Sequence, residues 1–502
     1  MQHIEKTTDA ISATLRQCIK ACWQGKCIGG TLGMPFEGGD GPFDLDYYTP
    51  VPTKMEANDD LDLQLVWLYI LDKMENPRVS RHDLAKAWID HIGWSMCEYG
   101  VAKRNLREGM KPPVTGSFDN WFKNGMGAAI RSEIWACLSP GKPEIAAAYA
   151  YEDACVDHAE DGVWAEMFLA ALQSAAFVEP DQKTLLKIAL NQIDSKSKLY
   201  QAVMNTCNWY ESCGQWQLVR ENILEEYDSE DFSYVVMNIC FIVLGWLAGK
   251  GDFGRTICIT ANCGKDTDCT AASVGALMGI ISPDCITDEW LKPIGERLII
   301  SPEIKGVDIP DDLDDLTEIV LSLQRRLNFR MPPEDNHDSE PKLHFEIDAW
   351  FTDWNIFRVS RTRMAAQNMP ENAFKLSLPG THVKMMFDKF KDKAVMLKYK
   401  FKLTKAGEVR VVFNSHQQNR VWLNGKFIFG RDGGKMFPSP HSVPLNQSDV
   451  VHLEKGIHEI LAVVARPEEN KFAEWMIGIA DAETNEWIPN VFCARNDRPS
   501  SF

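Results

Sequence analysis

Apolar residues recur every three to four positions through the first two thirds of the chain. "DLQLVWLYILDKM" (Asp62 to Met74), "EIAAAYAYEDACVDH" (Glu144 to His158) and "GVWAEMFLAALQSAAF" (Gly162 to Phe177) each carry this period, which predicts helices with one buried face. "DDLDDLTEIVLSLQRRL" (Asp311 to Leu327) has acids at its start and arginines at its end, the order a helix dipole favours. Strand signals are scarce in this part. The pattern breaks at "FRMPPEDNHDSEPKLHF" (Phe329 to Phe345), whose prolines and acids predict an exposed connection. Beyond it the period becomes two. "AVMLKYKFKL" (Ala394 to Leu403), "EVRVVFNS" (Glu408 to Ser415) and "LEKGIHEILAVVA" (Leu453 to Ala465) predict strands, and Asn424-Gly425 between "RVWL" and "KFIF" predicts a hairpin. The expected organisation is multi-domain: an all-α domain over residues 1–330, a linker over 331–342, and an all-β sandwich over 343–502.

Charge supports that division. The 502 residues carry a net −18. Residues 351–502 hold 22 Lys and Arg against 16 Asp and Glu, a net of +6, so the remainder stands at −24. An acidic chain lacks the basic face that phosphate attraction requires, which excludes general nucleic-acid binding. No uninterrupted apolar run reaches membrane-spanning length, so no membrane partner is expected. The opening "MQHIEKTTDAISATLRQ" has no basic start followed by an apolar core, so no signal peptide is expected and a cytoplasmic location is. Fourteen cysteines are scattered without a C-x-x-C pair, which favours reduced thiols over a zinc or disulfide framework.

Three segments carry candidate chemistry. "GKCIGGTLGMPFEG" (Gly25 to Gly38) places Gly25, Gly29 and Gly33 every fourth residue, giving a helix one smooth face, and Pro35 then ends the helix ahead of Glu37. "ANDDLDLQLVWL" (Ala57 to Leu68) reads as a helix capped by Asn58, with Asp59 and Asp60 in its first turn. "NCGKDTDCTAASVGALMGII" (Asn262 to Ile281) sets Asp266 and Asp268 before a helix of small residues. One aspartate at a helix start is an ordinary cap. Two such clusters that converge would set four carboxylates in one cleft, and their repulsion calls for hard cations such as Mg2+, Mn2+ or Ca2+. The small residues would let the helices meet.

The ordered set G-x-P-x-E, "DD" at a helix start and "DTD" ahead of a small-residue helix resembles the ADP-ribosylglycohydrolase family, over residues from about 15 to 300. "NGMGAAIRSEIW" (Asn124 to Trp135) resembles that family's glycine-rich substrate loop, and His158 falls where the family often has a histidine. The resemblance implies an all-α fold, two divalent cations, usually Mg2+, and hydrolysis of an N- or O-glycosidic bond at the anomeric carbon of ADP-ribose. Carried over by position, it implies that Asn58, Asp59, Asp60, Asp266, Asp268 and Cys269 hold metal. Glu37, Asp60 and Asp266 are then catalytic, and Gly125, Met126, Gly127, Arg131 and His158 contact substrate. Trp121, in a polar loop beside that segment, is the best candidate for a sugar platform. The C-terminal segment resembles the β-sandwich accessory modules of glycosidases, of jelly-roll or galactose-binding type.

Three departures bear on the expected chemistry. Gly30 stands where the family often has Asp. Cys269 offers a soft thiol where the family commonly has Thr, and Met126 replaces a polar residue. The expected function is therefore a metal-dependent glycohydrolase acting on ADP-ribose or a related ribosyl or glycosyl conjugate, a small-molecule or sugar-conjugate substrate. The alternatives are a metal-dependent sugar- or nucleotide-binding protein without turnover, and a glycan-binding protein acting through the β-sandwich. The oligomeric state is not readable from the sequence.

Overall fold

The structure is a computed structural model. It describes residues 2–334, 345–352, 371, 373–385, 394–437, 439, 446–467 and 472–492, with side chains from residue 14 onward. The expected linker lies outside these residues from position 335. The described residues form two compact units, one drawn from positions 1–93 and 122–338, the other from positions 94–121 and 339–502.

The first unit is helical. Its centre is the pairing of helix Gln2–Gly33 with helix Thr267–Ile281, and glycines permit it. A Cβ at Gly29 would stand 2.1 Å from the carbonyl oxygen of Ala271, and one at Gly33 would stand 2.2 Å from that of Thr267. No side chain fits there, so the backbones touch, and the stripe of small residues on each helix is the contact surface. Helix Val235–Gly249 is apolar on all sides and almost wholly buried, as an interior helix must be. Helix Leu313–Leu327 is amphipathic; Asp312 accepts from the amides of Asp314 and Asp315 at its start, and Asn328, at φ 49°, closes its end. No described helix is long and apolar enough to cross a membrane, and the described cysteines are free thiols.

The second unit is a sandwich of two antiparallel sheets. Its strands are β1 (Phe345–Thr352), β2 (Phe374–Leu378), β3 (His382–Met385), β4 (Ala394–Leu403), β5 (Gly407–Ser415), β6 (Gln418–Leu423), β7 (Lys426–Asp432), β8 (Ser448–Leu453), β9 (Gly456–Ala465) and β10 (Ala473–Asp481). One sheet runs β2-β1-β4-β9-β6-β7, the other β3-β10-β5-β8. Alternate residues of both sheets fill one core, among them Leu397, Tyr399, Phe401, Val411, Phe413, Ile460, Trp475 and Ile477. Asn424 (φ 47°) and Gly425 (φ 80°) make the tight turn between β6 and β7 that their types require.

This unit also takes in Trp94–Trp121, which precedes it by more than two hundred residues. Helix Cys97–Arg107 is fastened there by charge. Lys103 and Arg107 both meet Glu486 at 2.9 Å. Arg104 pairs with Asp119 at 3.1 Å, and Asp119 accepts from the backbone amides of Thr381 (2.8 Å) and His382 (3.0 Å).

Candidate metal centre

Two helix starts and one turn bring the acids of the helical unit together. Helix Gln2–Gly33 ends in the single turn Met34–Phe36, where Pro35 forbids continuation, and Glu37 follows. The next residues are pinned to the DTD segment: Gly38 N donates to Lys265 O (2.9 Å), and Lys265 N donates to Gly39 O (2.6 Å). Thr267 Oγ1 donates to Gly33 O at 2.8 Å. The turn carrying Glu37 and the start of the helix carrying Asp266 and Asp268 are thereby locked side by side.

Asn58 ties in the third segment. Its Oδ1 accepts from Asp60 N at 2.8 Å, the cap the sequence predicts, and its Nδ2 donates to Asp268 Oδ2 at 3.0 Å. Cys269 Sγ donates to Asp60 Oδ2 at 3.4 Å. Two trios of possible ligand atoms result, Glu37 with Asp266 and Asp268, and Asp60 with Asp268 and Cys269. Within each trio the atoms lie within 4.8 Å of one another. Asp59 sits half-buried in the first turn beside them.

This crowding shifts protonation. Glu37 is exposed as a residue, yet partial desolvation of its carboxyl, then the charges of Asp59 and Asp60, raises it above its ordinary value. Burial, then Asp60 and Glu37, pushes Asp268 up to about 7. Burial and the neighbouring Asp268 push Asp266 well up, and burial with both aspartates keeps the Cys269 thiol well above its ordinary value.

The donor set fits a hard divalent cation on one side. Asp266 Oδ1 and Asp268 Oδ1 are buried and have no hydrogen-bond partner among the described residues. Buried carboxylate oxygens are costly in that condition, and a cation would satisfy both. The Glu37 trio is all oxygen. The other trio contains sulfur, a poor partner for Mg2+.

Sequence reasoning overlooked the polar residues behind the acids. Lys26, 1% exposed, lies 3.1 Å from Asp60 Oδ1 and 3.1 Å from Glu133 Oε2. Burial opposes its charge, yet Glu133 and Asp60 more than offset that and hold the ammonium's pKa above normal. Gln64 donates to Glu133 Oε2 (2.9 Å) and Gln173 to Glu133 Oε1 (3.1 Å). The available signal was a lysine set between Gly25 and Gly29, on a helix whose neighbouring positions are too small and apolar to face solvent. A cavity of about 20 Å3 beside Lys26, Asn58 and Asp60 marks the place where Gly30 has no side chain.

The segment expected to contact substrate is enclosed. Met126 and Arg131 are 1% and 0% exposed, and Gly125 and Gly127 are buried. Arg131 meets Asp153 and Asp157 at 2.9 Å each, donates to Gly127 O, and lies over the Trp88 ring. Burial alone would raise Asp157, but Arg131 and then His158, 3.0 Å away, pull it down to about 2. His158 is itself fully buried. Arg131 and His158 thus serve Asp157 as counter-ion and neighbour. Trp121 belongs to the other unit, where it meets Phe437 edge-on with 5.4 Å between ring centroids.

A family model described as ADP-ribosylglycohydrolase matches residues 11–327. Among solved structures, an "ADP-ribosylglycohydrolase-related protein complex" is 17% identical, covering 63% of this chain and 99% of that chain with a TM-score of 0.44. A beta-glucosidase from Kluyveromyces marxianus in complex with glucose is 12% identical over 27% of this chain and 15% of that chain, with a TM-score of 0.20. A GH31 alpha-xylosidase from Xanthomonas citri is 14% identical over 24% and 14%, with a TM-score of 0.17. No curated protein matches the chain.

Proposed function

The chain belongs to the ADP-ribosylglycohydrolase family, and from that membership we propose a metal-dependent glycohydrolase that cleaves an N- or O-glycosidic bond at the anomeric carbon of ADP-ribose or a related ribosyl or glycosyl conjugate. One observation carries the metal-dependent part. Asp266 and Asp268 each bury an oxygen that nothing in the described chain satisfies, beside Glu37.

Glu37, Asp266 and Asp268 would hold the cation, which when bound supplies polarisation of sugar hydroxyls and of a nearby water. The remaining work falls to the chain. Glu37 is exposed at the mouth of the cluster, so its carboxylate can orient a water toward the anomeric carbon and take its proton. Charge developing on the sugar ring in an oxocarbenium-like transition state would face a strongly acidic cleft, which favours it. The enclosed segment from Gly125 to Arg131 holds the frame, and Asp60 and Asn58 fix the two aspartate-bearing helices against each other.

The test is a metal-titrated hydrolysis screen of wild type and Asp266→Ala against ADP-ribosyl conjugates, nucleosides and aryl glycosides. Turnover that needs divalent metal and disappears in the variant is expected. Bound metal without turnover on any of these would replace the hydrolase with a metal-dependent sugar- or nucleotide-binding protein.

A further inference from the structure

The Asp60 side of the centre already contains a cation. Lys26 projects from the glycine-faced helix into a site closed to solvent, and its ammonium is shared between Asp60 Oδ1 and Glu133 Oε2. It is held in place from behind. Gln64 and Gln173 each donate to one oxygen of Glu133, and Gln64 Oε1 accepts the backbone amide of Ile134, so the acceptor that anchors the ammonium is fixed by two helices.

Asp60 and Asn58 are committed further. Asp60 Oδ2 accepts the Cys269 thiol. Asn58 Oδ1 is spent on the cap of its own helix, and its amino group faces Asp268. Across the centre the situation reverses. Asp266 Oδ1 and Asp268 Oδ1 lack partners among the described residues, and Glu37 is exposed.

We infer that Lys26 is a resident monocation of the Asp60 side, so that the centre takes one divalent cation, on Glu37, Asp266 and Asp268, and not two. The inference rests on the cluster being a metal centre at all. A second divalent ion on Asp60 would face an ammonium bound to the same carboxylate in a water-poor interior, where like charges repel strongly. It would also have to displace the thiol of Cys269 or accept it as a ligand. Asp60 is then a positioning residue that orients Cys269 and Lys26 behind the ion.

The count of ions decides the matter. Full-length wild type is titrated with MnCl2, bound manganese per chain is measured by equilibrium dialysis and elemental analysis, and the electron paramagnetic resonance spectrum is recorded. One ion per chain with an uncoupled six-line spectrum is expected. Two ions with an exchange-coupled spectrum would overturn the inference and leave the metal centre standing, whereas no bound ion would remove both. Lys26→Met is expected to take up a second ion; a folded variant that still binds one would overturn the role given to Lys26. Asp60→Asn supplies a check that does not depend on that variant folding. It is expected to cost the roughly 10-fold to 100-fold in Mn2+ affinity typical of a partner outside the ligand set, while Asp266→Asn abolishes binding. Equal loss in the two would show Asp60 to be a ligand and overturn the assignment.

Discussion

Around Arg131, the buried carboxylates Asp153, Asp157 and Glu166 gather on one guanidinium, and Trp135 Nε1 donates to both Asp153 and Glu166. Around Asp266, the carboxylates of Glu37 and Asp268 gather with none of the described lysines or arginines paired to any of the three. Lys26 serves Asp60, and Lys265, though next to Asp266 in sequence, turns to Asp40 and Asp228. The same helical unit therefore gives one buried acidic group a counter-ion from within and leaves the other without one among the described residues. Burial penalises ionised carboxylates in both places. Leaving the second group unpaired is what a site requires when its countercharge comes from outside.

The comparison breaks first at Arg131. Replacing it with Met leaves Asp153 and Asp157 buried without their counter-ion, a change that typically costs about 3–5 kcal/mol. Urea denaturation of Arg131→Met should show that loss relative to wild type, and the difference between the two proteins should be the same with and without Mg2+, since metal binding stabilises both equally. A difference that shrinks in Mg2+ would mean that the two acidic groups act as one.

Within the two groups, Asp268 and Asp157 should answer pH in opposite directions, although burial raises Asp153 and Glu166 beside Arg131 as well. Asp268 is pushed above its unfolded value, to about 7. The folded, metal-free protein then binds more protons than the unfolded chain, so its stability is fully present in acid and is lost as pH rises through about 7. Asp157 is pulled down to about 2, so its contribution holds above the ordinary carboxylate range and is lost only as pH falls toward 2. In chelator, the melting temperature should therefore drop between pH 5.5 and pH 8. Mg2+ at about 100 times its dissociation constant should restore about 2.7 kcal/mol at the higher pH. Asp62, also pushed up to about 7 by burial, adds to the drop, so the comparison is made with Asp268→Asn: a metal-free drop as large in that variant as in wild type would contradict the uncompensated reading of the Asp266 group.

Asp266→Asn sharpens the same point with a smaller effect. It removes a buried carboxyl whose ionisation burial and Asp268 both oppose, so metal-free stability at pH 8 should rise by on the order of 1 kcal/mol. The melting-temperature response to Mg2+ should vanish together with that gain. Thermal melts of both proteins with and without Mg2+ measure the two changes in one experiment.

Much of this is legible in the amino-acid sequence. The change of period from helix to strand, the Asn424-Gly425 turn and the placement of Asp59-Asp60 and Asp266-Asp268 at helix starts follow from local pattern, because caps, turns and small-residue faces are written in adjacent residues. The meeting of the two acidic segments is only a condition in the sequence, and the fold supplies it. What escapes depends on distant partners. Arg131 reads as a free cation until Asp153, Asp157 and Glu166 fold around it. Asn58 reads as an amide oxygen for metal, but its oxygen belongs to its own helix and its amino group to Asp268. Trp94–Trp121 contains a helix like its neighbours, and no local signal says that Glu486 and Thr381, hundreds of residues later, will hold it. Lys26 is hidden for the opposite reason, since a single lysine among glycines looks like an interruption of a packing face and not the centre of an ion network.

The smallest predicted effect tests whether the space beside Lys26 matters to the uncompensated group. Gly29 and Gly30 are adjacent on one helix, yet a Cβ at Gly29 would lie 2.1 Å from the Ala271 carbonyl oxygen, while one at Gly30 would find Ala272 Cβ and Asn58 Nδ2 at 3.8 Å. The second is ordinary contact, so Gly30→Ala forces nothing to move. It also replaces a residue of poor helix propensity inside the helix, which should stabilise the protein by about 0.5–1 kcal/mol. The added methyl narrows the cavity next to the ammonium without reaching Asp266 or Asp268, so the Mg2+ response should match wild type. A urea midpoint that rises while the metal-induced shift stays constant would separate packing on the Lys26 side from ion binding on the Asp266 side. A changed metal response from one methyl group would instead mean that the small volume beside Lys26 is part of the ion site.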